Sequence, residues 1–92
     1  MNSKTKRIGS KNAFERTFDN GAVILISYAT PVACYIPALG YMETEEKFSR
    51  TTSRQIAQWK RDQGYTLSIR VPQHEIEGWM EKLDRLNFGE QV

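Results

Sequence analysis

The sequence predicts an α+β fold: an antiparallel sheet of four to five strands with two helices packed on one face. Three observations predict it. Two short β-favouring runs, AVILISY at 22–28 and VACYI at 32–36, are separated by turn chemistry. Ile76, Trp79, Met80, Leu83 and Leu86 recur at helical spacing and mark one apolar face. The elements come in the order four strands, helix, strand, helix, which layers helices over an antiparallel sheet.

Residues 1–12, MNSKTKRIGSKN, are polar and basic, with almost nothing to bury, and read as a flexible basic N-terminal arm ahead of a single α+β domain at 13–92. AFERTF (13–18) opens the sheet with mixed faces. Asp19-Asn20-Gly21 is a hairpin signal, because Asn and Gly both tolerate positive φ. Val23 to Ile26 is apolar on both faces, as a central strand covered on both sides would be. Pro31 has no N–H and belongs at a strand start or an edge. Pro37 to Gly40 supplies the next turn, and YMETEEKFS (41–49) alternates with enough charge for an exposed edge strand. Such an edge could pair with a second copy as a homo-oligomer, although its glutamates oppose this.

A helix is predicted from about Thr52, with Thr52 and Gln55 three apart as in a capping box, Ile56 and Trp59 on its apolar stripe, and Gly64 at its end. YTLSIRV (65–71) reads as a fifth strand with Leu67, Ile69 and Val71 on one face. Pro72 introduces the second helix, whose first turn carries Glu75 and Glu77, where the helix dipole favours acids.

The chain has 92 residues, 13 Lys+Arg against 11 Asp+Glu, and a net charge of +2. The basic excess is local: residues 1–11 hold Lys4, Lys6, Arg7 and Lys11 with no acid, while 75–92 is acidic. Cys34 and His74 are single, which excludes an intrachain disulfide and a Cys/His zinc site. No cofactor or metal is expected. The longest apolar run, Ala22 to Ile26, falls far below the roughly 20 residues of a membrane span. A lone thiol fits a reducing compartment, so a soluble cytoplasmic protein with no membrane partner is expected.

SRTTSR (49–54) is the most suggestive polar cluster. Arg50, Thr51, Thr52, Ser53 and Arg54 gather at a helix start, where free N–H groups can hold an anion, so they are candidate anion or partner contacts, and where ordinary capping accounts for the same residues. Lys60 and Arg61 extend a basic surface that, with Lys4, Lys6, Arg7 and Lys11, is a modest nucleic-acid signal without a recognised motif. His74 has no nucleophile tied to it and reads as an exposed first-turn residue. Cys34 reads as a buried, inert thiol. Glu43, Glu45 and Glu46 read as a solvated strand face. Trp59 and Trp79 read as core packing. No catalytic residue is expected.

SYATPVACY (27–35), SRTTSRQIAQW (49–59) and VPQHEI (71–76) resemble a small domain family of phages, plasmids and related prokaryotic genomes, whose members share an SYxTPVA segment, a Ser-x-Thr-Thr-Ser-[Arg/Lys]-His-Ile stretch and a Val-Pro-Gln-x-Glu segment. The likeness covers about residues 20–86, nearly the whole domain expected at this length. One position departs: Gln55 stands where the family has His, so no role of that His carries over. The resemblance implies a shared fold and a mobile-element setting, with no reaction attached. With it, the sequence points to a non-enzymatic accessory protein that binds a host or phage protein as a modulator or inhibitor of host machinery. A nucleic-acid-binding protein is the alternative.

Overall fold

The computed structural model describes residues 2–9, 12–67 and 69–88. They form β1 (Ser3–Arg7), β2 (Ala13–Phe18), β3 (Val23–Ser27), β4 (Thr30–Ile36), β5 (Gly40–Thr44), α1 (Arg50–Gln63), β6 (Arg70–Val71) and α2 (Gln73–Phe88). The sheet runs β1-β2-β3-β4-β5-β6 in chain order. The first four pairings are antiparallel and β5–β6 is parallel, so the α+β class holds but the sheet is mixed and six-stranded. A parallel neighbour requires a crossover, and α1 is that crossover.

Local turn chemistry builds the meander. Gly21 donates to the Phe18 carbonyl and takes φ 94°, completing the three-residue turn that Asp19-Asn20-Gly21 encodes. Between β4 and β5, Pro37 precedes Ala38 at φ 75°, and Leu39 N–H donates to Ile36. The β3–β4 turn is different. Ser27 and Thr30 are paired, so Tyr28 and Ala29 alone make the turn, at φ 50° and 67°. A two-residue turn with both centres at positive φ normally takes Asn or Gly, and here two residues with side chains hold it.

The strands alternate between two apolar clusters. Ile24, Cys34 and Met42 join Phe18 and the α2 residues Ile76 and Leu83. Leu25, Ala33 and Tyr41 join Trp59 of α1, with Ile56 and Tyr65 packed against them. The helices therefore lie on opposite faces of the sheet, not on one face as expected. The reason is already in Val23–Ile26: a strand apolar on both faces needs cover on both.

Three further expectations are corrected. Ser3–Arg7 is not a flexible arm. It pairs along its length with β2, from Ser3↔Phe18 to Arg7↔Phe14, and Ile8 packs on the α1-side cluster. Its backbone hydrogen bonds offset the ordering entropy that its polar side chains cannot. The segment 41–49 is not an edge strand: β5 ends at Thr44 and is flanked by β4 and β6. Among the described residues of 65–71, only Arg70–Val71 is strand. Tyr65 turns into an aromatic cluster, while Leu67 is 71% exposed.

Arg16 fastens α2 to the sheet. Its guanidinium lies 2.6 Å from Asp84, sits 4.7 Å over the Phe18 ring and donates to Ser3 Oγ. The Arg16 side chain is mostly buried, so its hydrogen bonds count for more than those of a surface pair. Arg16→Ala is expected to cost about 2 kcal/mol in urea unfolding and to speed amide exchange in the second half of α2. An unchanged midpoint with unchanged exchange would contradict this anchoring role.

Candidate functional site

α1 starts one turn earlier than the sequence suggests. Ser49, with extended backbone, accepts from Thr52 N–H and caps the helix, and Gly64 closes it at φ 78°. Thr52 and Gln55 are therefore not a capping box. Both point at the sheet. Thr52 Oγ1 lies 2.9 Å from Ser27 Oγ and 3.1 Å from Ser49 Oγ, and Ser27 Oγ donates to Gln55 Oε1 at 2.5 Å. This chain of hydroxyls, buried at Ser27 and Thr52, fixes the start of α1 over the end of β3. On the opposite face, Gln73 Nε2 at the start of α2 donates to the Pro31 carbonyl at 2.8 Å. The segments 27–35, 49–59 and 71–76 thus meet around the β3–β4 turn.

A cleft of about 320 Å³ opens on the α1 face, between the helix and the start of β2. Ile8, Ala13 and Trp59 give it apolar walls, and Arg54, Gln55 and Asp62 of α1 give it polar ones. Trp59 is held at its base, its indole N–H donating to Glu15 Oε1 at 2.8 Å. Lys6 approaches the same carboxylate at 4.0 Å. Across the helix a second cleft of about 280 Å³ is lined by acids of the β5 end, including Glu43, together with Ser53 and Lys60 of α1 and Arg70 of β6.

The predicted SRTTSR cluster is divided three ways. Thr52 turns inward and is buried, Thr51 and Arg54 line the first cleft, and Ser53 lines the second. Arg50 is exposed. Spacings of four and seven residues place Arg50, Arg54 and Arg61 along one outward ridge of α1, and Arg61 donates to Gln58. Lys60 is off that ridge, its ammonium 5.8 Å from the Tyr41 ring. In β1, Lys4 and Lys6 are opposite Thr17 and Glu15 on the α1 side, while Arg7 pairs with Phe14 and lies 5.9 Å over its ring on the other face. Lys11 lies outside the described residues.

His74 is exposed in the first turn of α2, on the far face from the cleft. Trp59 is buried and Trp79 packs partly buried on the α2 side. Glu45 and Glu46 are exposed, but Glu43 is not the solvated acid expected. It is buried, accepts from Tyr41 Oη at 2.7 Å and pairs with Arg70 at 3.5 Å. Sequence reasoning also missed Ser27, Gln55 and Glu15. Of these, Ser27 carried a signal, as a polar residue at the end of the apolar strand β3. Tyr35, Tyr65, Tyr41 and Trp59 complete the face, with Tyr65 stacked on Tyr35 at 5.3 Å and on Tyr41 at 4.9 Å. Among the described residues no three metal-ligating side chains gather, and no helix is long and apolar enough to cross a membrane.

Residues 1–78 match the model of a family of unknown function, DUF8033, and the chain belongs to that family. The matched span takes in β1 and ends within α2. No curated protein and no solved structure matches the chain.

Burial pushes the Cys34 thiol from an ordinary value of 9.0 up to about 12. Burial, then the hydrogen bond to Glu43 and its charge, raises the Tyr41 phenol above its ordinary range. Below the ordinary thiol value neither folded nor unfolded Cys34 is ionised, so it leaves stability flat. Between 9.0 and about 12 the unfolded thiol gives up its proton and the folded one keeps it, so stability falls as pH rises. Urea titrations across that window should show the wild type losing about 1 kcal/mol per pH unit more than Cys34→Ala. Parallel curves would contradict the burial of the thiol.

Proposed function

We propose that this chain is a non-catalytic accessory protein that binds a protein partner through the outward side of α1 and the cleft beside it. The observation that carries this reading is the cleft itself, with apolar walls at Ile8, Ala13 and Trp59 and a rim bearing Arg54. An apolar patch with a charged rim is how a surface excludes water and selects a partner. Tyr28 supports it: half exposed and held at positive φ, it is next to Ser27, whose hydroxyl binds Gln55 of the cleft. Exposed Tyr and Arg are the side chains most often carrying interface energy. The reactive groups fit the same reading, since Cys34 is buried and protonated and His74 stands apart on the other face. The motif segments resemble those of phage and plasmid proteins, which makes a cytoplasmic host protein the partner class.

A nucleic-acid reading has one observation of its own. Lys4 and Lys6 share the α1 face with Arg50, Arg54 and Arg61. Phosphate contacts by these cations would make affinity fall steeply with salt.

Two variants separate the readings. Arg54→Glu reverses the rim charge. Tyr28→Asn with Ala29→Gly removes the tyrosine and relaxes the turn, so it should raise stability by about 1 kcal/mol. In affinity capture from host lysate, both are expected to lose the proteins retained by wild type. Gly78→Ala, whose added Cβ meets nothing within 4 Å, should retain them. Capture unchanged by Arg54→Glu would overturn the protein-binding reading. Salt-steep retention of DNA or RNA, abolished by Arg54→Glu, would replace it with the alternative.

A further inference from the structure

We infer that the cleft between α1 and the start of β2 is a subsite for an extended acidic peptide segment, with a carboxylate at Arg54 and a hydrogen-bond donor toward Asp62. The inference rests on the reading of α1 as a partner-binding surface and names the chemistry of what enters.

Size and length fit such an occupant. Arg54 and Asp62 are eight residues apart on α1, about 12 Å along the axis at 1.5 Å per residue. Three to four residues of extended chain span the same distance at about 3.3 Å each. A volume of about 320 Å³ suits a few side chains and their backbone rather than a folded element.

Charge gives the segment a direction. Arg54 has no ion-pair partner among the described residues, and Arg50 and Arg61 flank it on the ridge. The first turns of α1 carry no acid, so the positive end of the helix dipole adds to Arg54 without opposition. Asp62 stands near the opposite helix end, where it accepts from Gln58 at 2.8 Å and has lone pairs to spare. A carboxylate is favoured at one end and an N–H at the other.

The amide of Gln55 points to a backbone-like acceptor. Its Oε1 is bound to Ser27, while its Nε2 is enclosed with no partner among the described residues. An enclosed amide donor calls for an acceptor, and a carboxylate or peptide carbonyl entering beside Arg54 supplies one. Nucleic acid fits less well. Trp59 is only 2% exposed and offers no open ring face for a base, and a strand charged at every phosphate would bring one against Asp62, which a peptide with its carboxylate at Arg54 and an N–H at Asp62 avoids.

The test uses the full chain, labelled with ¹⁵N, and three probes: acetyl-Leu-Asp-Leu-Glu, its Asn/Gln counterpart, and a single-stranded oligonucleotide. The acidic peptide is expected to shift the Gln55 side-chain amide and the Trp59 indole N–H saturably. The neutral peptide should bind about tenfold more weakly, and Arg54→Gln, at an exposed position, should remove about the same factor. No saturable shift at Gln55, an equal response to the neutral peptide, or tighter binding of the oligonucleotide at the same resonances would overturn the inference. Shifts confined to the Arg50–Arg61 ridge would also overturn it, while leaving the partner-binding reading of α1 standing. Conversely, Gln55 shifts together with lysate capture insensitive to Arg54→Glu would uphold the subsite and remove the broader reading.

Discussion

The structure depends on one constraint: the central strands are buried on both faces. Ile24 and Leu25 are adjacent, point to opposite sides, and are both fully excluded from solvent. No single helical layer can cover such a strand. The chain supplies two helices, so one must go to each face, and the order β5–α1–β6–α2 achieves this with one crossover and one return. That placement leaves the outer side of each helix free. On the α1 side it also leaves two clefts, because a single helix is narrower than six strands.

Polar groups then decide how each helix sits. Apolar packing is nondirectional and would tolerate small rotations of α1. The Ser27–Thr52–Ser49 chain does not, since the Ser27 and Thr52 hydroxyls are buried and must keep their partners. The Trp59–Glu15 bond fixes the second half of the same helix. On the other face, Gln73 on Pro31 and Arg16 on Asp84 play the corresponding parts for α2. Both helices therefore begin over the same β3–β4 turn, one above and one below.

What the sequence made legible follows from range. Near-neighbour chemistry was readable: the Asp19-Asn20-Gly21 turn, Gly64 at the end of α1, the apolar stripe of α2 and the buried Cys34. What failed depended on distant partners. SKTKR at 3–7 has no strand pattern of its own and becomes β1 only because β2 offers an open edge. Glu43 looks like a surface acid until Tyr41 and Arg70 are placed beside it. The polar cluster at 49–54 was found, but its division between core, first cleft and second cleft was not, because that depends on how α1 is rotated over the sheet. Gln55 was read as a capping-box partner and as a departure from a motif, whereas it binds Ser27 across to the sheet and lines the cleft with an enclosed Nε2.

The β3–β4 turn shows how stability and exposure trade against each other here. Asn-Gly at 28–29 would hold both positive φ values with less strain. Tyr28 instead keeps a large side chain half exposed in a conformation that costs on the order of 1 kcal/mol. Nothing in the packing requires it, since the turn residues belong to neither apolar cluster. The surrounding anchors, Tyr28 N–H on the Asn12 carbonyl and Ser27 on Thr52 and Gln55, are strong enough to hold the strained pair in place. Both helices start near this turn, so its exposed aromatic is carried on a firmly held support. An exposed tyrosine in strained backbone, at a turn hydrogen-bonded to its neighbours, fits the proposed binding surface better than it fits a purely structural turn.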